Sequence, residues 1–374
     1  MIKRFYQNLQ QYLQPNKVLV LYGPRRVGKT TLLNLSLSST FLKYKLVSGD
    51  DLSVQQILSS QSIDQIKKFA EGYELLAVDE AQRIPNIGLG LKILVDHVPN
   101  IKVIATGSSS FDLSNKIGEP LTGRTVTLKL YPIAQIELLN QYNHYELKTK
   151  KDDYLIYGSY PEVLTAPTIE KKIFYLREIA DSYLLRDILE MEEVKGSKVL
   201  FDLLKLLAFQ VGNEVSLAEL GSNLMIDAKT VGRYLDLLEK SFIIINIRGY
   251  SRNLRKEVTK KSKYYFYDNG IRNAIISNFN SLDLRDDVGK LWENFLVIER
   301  LKKQAYKNIF ANNYFWRTWD QKEVDLVEER EGKIFGYEFK YSPDRRKLPK
   351  EFLDTYSNAS LEIISQDNYL DFIT

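Results

Sequence analysis

Gly23-Pro24-Arg25-Arg26-Val27-Gly28-Lys29-Thr30 sets two glycines, four residues between them, directly before Lys and Thr, the pattern of a phosphate-binding loop. The flanks supply the context that such a loop needs. Lys17-Val18-Leu19-Val20-Leu21-Tyr22 reads as a buried strand entering it, and Thr31-Leu32-Leu33-Asn34-Leu35 as a helix leaving it. Gly23 and Gly28 let the backbone turn tightly and aim its N–H groups at phosphate oxygens, where side chains would clash or forbid the dihedrals. The first N–H groups of the helix add a favourable field for an anion. The residues expected to line a bound nucleotide are therefore Gly23, Pro24, Arg25, Arg26, Val27, Gly28, Lys29, Thr30 and Thr31. Lys29 is placed to reach the β- and γ-phosphates, and Thr30 to put its hydroxyl on Mg²⁺.

Leu75-Leu76-Ala77-Val78 is a second apolar strand, and it ends in Asp79-Glu80, as suits a central strand of a parallel sheet carrying its active carboxylates at the carboxyl edge. Asp79 is expected to hold Mg²⁺ and Glu80 to polarise the attacking water. A kinase needs only the first carboxylate, so the adjacent Glu favours hydrolysis of ATP. A third strand, Ile101 to Thr106, runs into Gly107-Ser108-Ser109-Ser110, where a hydroxyl beside the nucleotide would sense the γ-phosphate or orient the water. Ser108 is the candidate, and the pattern alone does not separate it from Ser109 and Ser110.

These motifs resemble the AAA-type branch of P-loop ATPases. More narrowly, the chain is similar to a prokaryotic family of ATPases whose C-terminal half carries a helical region, a winged helix and a nuclease-like fold. The resemblance rests on the loop, on Asp79-Glu80-Ala81-Gln82, on Thr106-Gly107-Ser108-Ser109, on Leu121-Thr122-Gly123-Arg124 followed by Leu130-Tyr131-Pro132, and on Tyr157-Gly158-Ser159-Tyr160-Pro161. It implies that Arg124 contacts the γ-phosphate, in cis or from a neighbouring subunit.

Composition bounds the remaining classes. The chain has 374 residues, 44% hydrophobic and 27% charged, which is the profile of a globular protein with two or three domains. Cysteine is absent, which excludes disulfides and thiolate metal sites, and only His97 and His144 are present, which argues against a His-rich metal centre or a Ser-His-Asp hydrolase. The net charge of +4 is too small to imply nucleic acid by itself. No secretion signal or bilayer-length apolar run is read, so a cytoplasmic location without membrane contact is expected. His97 reads as a helix-end residue. The polar stretch from Asn143 to Asp153, where apolar periodicity stops, is taken as the first domain boundary.

Beyond it, Ile169 to Glu193 has helical spacing, followed by helices expected at Val199 to Phe209, Ser216 to Leu224 and Asp227 to Lys240, with Ser216 and Asp227 as N-caps. The strands Phe242 to Ile247 and Tyr264 to Tyr267 complete the order of a winged helix. Between them stand Arg248, Arg252, Arg255, Lys256, Lys260, Lys261 and Lys263 against the single acid Glu257. Such a wing suits a phosphate backbone, while Lys229, Thr230 and Arg233 on the third helix would face a groove; a solvated hairpin used for packing is the alternative.

In the last region, residues 322–327 and 335–340 alternate like two strands of a hairpin, so Glu338 and Lys340 share a face opposite Phe339. Asp325 followed by Glu338-Phe339-Lys340 resembles the restriction-endonuclease-like superfamily. The resemblance makes Asp325 and Glu338 metal ligands and Lys340 the group that eases hydroxide formation, with Glu293 or Glu299 of the preceding helix as a further ligand. The expected organisation is an α/β chain: a parallel-sheet P-loop ATPase domain at 1–145, a helical and winged-helix region at 146–270, and a small α/β nuclease-like domain at 271–374. The expected function is ATP hydrolysis, with Mg²⁺, coupled to action on or binding of DNA. Alternatives are an ATP-controlled switch that binds a protein partner, or an ATP-gated Mg²⁺-dependent nuclease. Oligomerisation is left open.

Overall fold

The computed structural model of the chain describes residues 2–108, 121–184, 197–251, 262–318, 320–342 and 350–374. Contacts divide it into two units. The first holds Lys3–Pro132 with Lys240–Phe242, and the second holds Ile133–Glu239 with Ile243–Thr374.

In the first unit, β1 (Lys17–Tyr22), β2 (Tyr44–Ser48), β3 (Leu75–Asp79), β4 (Lys102–Gly107) and β5 (Thr125–Lys129) form one sheet in the order β2-β3-β4-β1-β5. Every pairing is parallel. Because side chains alternate, Val18, Val20, Leu76, Val78, Val103 and Ala105 share one face. They pack with Leu58 of α2 (Leu52–Ser59), Ile66 of α3 (Ile63–Ala70) and Leu91 and Leu94 of α4 (Ile87–His97). Leu19, Leu21, Leu75, Ala77 and Ile104 of the opposite face are also buried, as a parallel sheet covered on both sides requires. Asp51 and Ser62 cap α2 and α3, each accepting a backbone N–H. His97 is the last residue of α4.

Helix α1 (Lys29–Ser38) differs from α2 and α3, because its N-cap is Gly28 and no side chain accepts a hydrogen bond there, as none does at the start of α4. With no capping side chain, the first N–H groups of α1 are available to an anion.

The second unit contains a seven-stranded mixed sheet in the order β12-β11-β10-β9-β7-β8-β6. Its strands are β6 (Glu214–Val215), β7 (Ile244–Gly249), β8 (Ser262–Phe266), β9 (Asn312–Arg317), β10 (Glu323–Arg330), β11 (Lys333–Phe339) and β12 (Ala359–Ile364). The helices that come last before β7 are α5 (Ser197–Phe209), α6 (Leu217–Leu224) and α7 (Ala228–Lys240). Asp227 caps α7 through the Thr230 N–H at 2.9 Å, whereas Ser216 makes no side-chain cap to α6. β7 pairs in parallel with β9, so strands from both sides of residue 270 share one sheet. The long helix α8 (Val288–Lys307) is joined to β8 by Asn294, which accepts from the Phe266 N–H at 2.7 Å and donates to the Phe266 carbonyl at 2.9 Å.

The stretch 143–153 is helical. His144–Thr149 and Lys151–Tyr157 form two helices, the first opened by a capping box in which Asn143 accepts from the Glu146 N–H at 3.0 Å and Glu146 accepts from the Asn143 N–H at 2.8 Å. Gly158 follows at φ 72, and its backbone lies so close to Asp268 that a Cβ there would stand 2.0 Å from the carboxylate. Among the described residues no helix is long and apolar enough to cross a membrane.

Candidate functional site

The parallel order puts the carboxyl ends of β1, β3 and β4 along one edge of the first sheet, and the loop Gly23 to Thr30 leaves from that edge. Gly23 has φ 151, and a Cβ on it would meet the Leu130 carbonyl oxygen at 2.0 Å. Gly28 is constrained by conformation rather than space, with φ 92 and open surroundings. Arg26 also lies in the left-handed region, at φ 59, a conformation uncommon for a residue with a Cβ. The Lys29 ammonium, 6% exposed, donates to the Gly23 carbonyl at 2.9 Å and the Pro24 carbonyl at 2.7 Å, so it closes the loop across its own base. Thr30 and Thr31 are exposed at the mouth.

Facing them are the acids of β3. Thr30 Oγ1 donates to Asp79 Oδ2 at 2.9 Å, which joins the two expected Mg²⁺ ligands directly. On the other side, Thr106 of β4, fully buried, donates its hydroxyl to Asp79 Oδ1 and accepts from the Glu80 N–H at 3.2 Å. Glu80 is left-handed, at φ 50, and its carboxylate accepts from Gln82 Nε2, which also donates to Ser108 Oγ at 3.0 Å. Ser108 is therefore joined to Glu80 through one amide, while Ser109 and Ser110 lie outside the described residues. Thr106 and Gln82 stood only within the motifs that carry the resemblance, with no chemical role assigned to either. The signal available for Thr106 was a hydroxyl at the end of an otherwise apolar strand.

The residues fit a Mg²⁺-nucleotide: an uncapped helix start for phosphate oxygens, a buried ammonium within the loop, and a hydroxyl–carboxylate pair of the hard oxygen type that Mg²⁺ prefers.

The structure corrects the expectation for Arg124 in cis. Arg124 precedes β5, and its carbonyl accepts from the Val18 N–H at the start of β1, so it stands at the amino edge of the parallel sheet. The loop is at the carboxyl edge, roughly five strand residues or about 17 Å away, beyond the reach of one side chain. Its guanidinium pairs instead with Asp96 at 2.7 Å.

In the second unit, β10 and β11 form the expected hairpin, and one step past the Leu326↔Tyr337 register Asp325 comes opposite Glu338. Asp325 accepts from the Phe339 N–H at 2.8 Å, and Lys340 donates to Glu338 Oε1 at 2.7 Å, while Glu338 Oε2 is buried without a hydrogen-bond partner. Burial, reinforced by Glu293 and Glu338, pushes the Asp325 carboxyl well above the usual carboxylate range. Burial also raises Glu338, against the opposing hydrogen bond and charge of Lys340.

Of the two helix acids, Glu293 belongs to this neighbourhood. It accepts from Tyr265 OH at 2.6 Å and Lys263 Nζ at 3.1 Å. Glu299 is buried elsewhere, paired with Lys302 at 2.7 Å and accepting from the Gln135 N–H at 2.7 Å. Lys263 is a second correction: rather than a wing cation it is a buried residue of β8, paired with both Glu293 and Glu323. Burial disfavours its ammonium, but Glu293, Tyr265, Asp325 and Glu323 together hold it well above its ordinary range. Among the described residues no three acidic or histidine side chains converge at metal-binding geometry.

Arg252, Arg255, Lys256, Lys260 and Lys261 of the basic loop lie outside the described residues. Arg248, expected among the loop cations, is instead an exposed residue of β7, and Lys229 and Arg233 on α7 are exposed too; the Thr230 hydroxyl is engaged with Asp227 at 2.6 Å.

Comparison with known proteins gives three matched regions along the chain. Residues 15–139 match the model of an AAA domain, residues 148–282 a domain of unknown function (DUF8612), and residues 288–368 another (DUF4143). Similar full-length proteins include an uncharacterized protein of Mycobacterium tuberculosis, 27% identical over 339 residues that span 89% of this chain and 72% of the relative. One from Haemophilus influenzae is 26% identical over 365 residues (89% and 84%), and one from Methanocaldococcus jannaschii 25% identical over 353 residues (88% and 75%); both are also uncharacterized. The chain thus joins an AAA domain of the P-loop ATPase type to a C-terminal DUF4143 domain, and the relatives it resembles are uncharacterized.

Proposed function

We propose that this chain is an AAA-type ATPase that hydrolyses ATP and acts on DNA through its second unit. The observation that carries the first half is the 2.9 Å bond from the Thr30 hydroxyl to Asp79, formed beside the loop that Lys29 closes. Lys29 exchanges the loop carbonyls for phosphate oxygens when nucleotide enters. Thr30 and Asp79 would hold Mg²⁺, which when bound supplies charge neutralisation on the phosphates. Glu80 accepts a proton from the attacking water, and Gln82, bonded to both Glu80 and Ser108, fixes the carboxylate against the strand end. Thr106 holds Asp79 and the Glu80 backbone in register with each other.

For the second half, support comes from the order α5, α6, α7, β7, β8, which suits a winged helix with α7 presenting Lys229 and Arg233 to solvent. The basic residues 248–261 would then follow the phosphate backbone. A second reading, a Mg²⁺-dependent nuclease in a restriction-endonuclease-like fold, is favoured by Asp325, Glu338 and Lys340 lying together with Glu293 in electrostatic reach. Lys263 already pairs with Glu293, and among the described residues no three acids converge at metal-binding geometry, which is why DNA binding is preferred over cutting. A cytoplasmic setting is part of the same reading.

The test is ATP turnover with and without duplex DNA, with the DNA followed for cuts. Stimulated turnover on intact DNA supports the preferred reading. Mg²⁺-dependent cutting that Glu338→Ala abolishes supports the second. Unchanged turnover together with no DNA binding refutes both and leaves a protein partner as the ligand of the second unit.

A further inference from the structure

Arg4 lies outside every motif described above, yet its guanidinium rests on the phosphate loop. One terminal nitrogen donates to the Val27 carbonyl and the other to the Tyr131 carbonyl at 2.7 Å. Val27 is the residue before Gly28, at the far end of the loop. Tyr131 follows β5, in the segment that covers the near end, where the Leu130 N–H donates to the Tyr22 carbonyl at 2.8 Å and the Leu130 carbonyl crowds Gly23. A planar fork with fixed donor directions thus ties the two ends together.

Peptide planarity turns this contact into a statement about the cradle. No cis peptide occurs among the described residues, and in a trans unit the C=O and N–H point opposite ways. With the Val27 carbonyl turned toward Arg4, the Gly28 N–H of the same unit is turned away from it. That N–H belongs to the run of donors that opens α1 and that the nucleotide reading assigns to phosphate oxygens. Restraint is needed here, because glycine at φ 92 populates several backbone regions at similar cost, and an unheld 27–28 peptide would turn freely. We propose that Arg4 is a positioning residue that fixes the Val27–Gly28 peptide so that the loop presents its amide donors to the phosphates before nucleotide arrives. This inference rests on the nucleotide reading of the loop.

The experiment compares wild type, Arg4→Ala and Arg4→Lys in two ways. In nucleotide-free protein, amide hydrogen exchange across residues 23–30 is expected to quicken about tenfold in Arg4→Ala, the equivalent of one lost hydrogen bond, with unfolding midpoint retained. The dissociation constant for ADP is expected to rise about tenfold in Arg4→Ala and to recover in part in Arg4→Lys, which reaches one carbonyl instead of two. Arg4→Lys also keeps the test open if Arg4→Ala folds poorly. Exchange across residues 23–30 that matches wild type in both variants overturns the proposal. Failure of wild type to bind ADP overturns the nucleotide reading itself, and the exchange comparison still decides whether Arg4 holds the loop.

Discussion

Thr106→Val separates the hydroxyl that orients Asp79 from the shape that packs beside it. Valine fills the same buried space, so the sheet is kept, but Asp79 Oδ1 loses its hydroxyl donor and the Glu80 N–H loses an acceptor at 3.2 Å. Asp79 retains Thr30 at 2.9 Å and the Glu80 N–H at 3.2 Å, so the carboxylate stays in place with less restraint. A hydrogen bond to a charged group is worth about 1.5–3 kcal/mol. If that restraint is expressed in the transition state, turnover falls by about 10- to 150-fold. Steady-state phosphate release gives the rate, and a thermal melt checks that the protein remains folded at the assay temperature. Thr106→Ser, which restores the donor, should return most of the loss. Valine turnover within twofold of wild type in a folded protein would refute the role of Thr106, and with it the claim that β4 orients the Asp79 carboxylate.

Glu80→Gln keeps the size of the side chain but cannot accept a proton, so ATP should bind normally while single-turnover hydrolysis slows by about 100-fold or more; normal hydrolysis would remove Glu80 from the reaction. Gly158→Ala puts a Cβ 2.0 Å from an Asp268 carboxylate that is itself held by the Ser159 N–H at 2.7 Å and the Ile271 N–H at 3.1 Å. With φ at 72 as well, it should cost about 2–5 kcal/mol in urea unfolding. Asp287 has a pKa lowered to about 2: burial works to raise it, but the hydrogen bonds and charges of Arg285 and Arg272 prevail. A depressed carboxylate stabilises the fold above its unfolded pKa and loses that contribution as pH falls through its folded value. Asp287→Asn should therefore unfold about 1–2 kcal/mol more easily at pH 7, with the gap to wild type closing between about pH 4 and pH 2. A gap that does not change with pH would refute the ion-pair origin.

The three central strands of the first sheet were legible because a buried parallel strand is a continuous apolar run, and Lys17–Tyr22 has the expected bounds while the run Leu75–Val78 extends by Asp79; the edge strands β2 and β5, mixed in polarity, were not read. What was not legible depends on which strands become neighbours. Thr106 matters because β4 lies between β1 and β3, and Arg4 matters because residues 4, 27 and 131 meet, relations that no local pattern carries. The two helices that begin within Asn143 to Asp153 were missed for a different reason. The polar composition of that stretch suggested a boundary, although Asn143 and Glu146 stand at capping-box spacing. Lys263 was grouped with loop cations because counting charges along a chain takes no account of burial. Glu293 and Glu299 could not be ranked from spacing alone, yet six residues of helix turn the side chain by about 240° from its starting direction. One faces Lys263 and the other Lys302.

The central claim, that the loop from Gly23 to Thr30 serves ATP hydrolysis, is tested most directly by phosphate release from ATP in Mg²⁺ by the purified chain, set against Lys29→Ala prepared in the same way. Removing the ammonium that the loop holds at 2.9 Å and 2.7 Å deletes the positive charge meant for the β- and γ-phosphates. The account predicts release that stops on chelation of Mg²⁺ and is absent from Lys29→Ala. Equal release by the two proteins, or none by wild type at millimolar ATP with and without DNA, would contradict it.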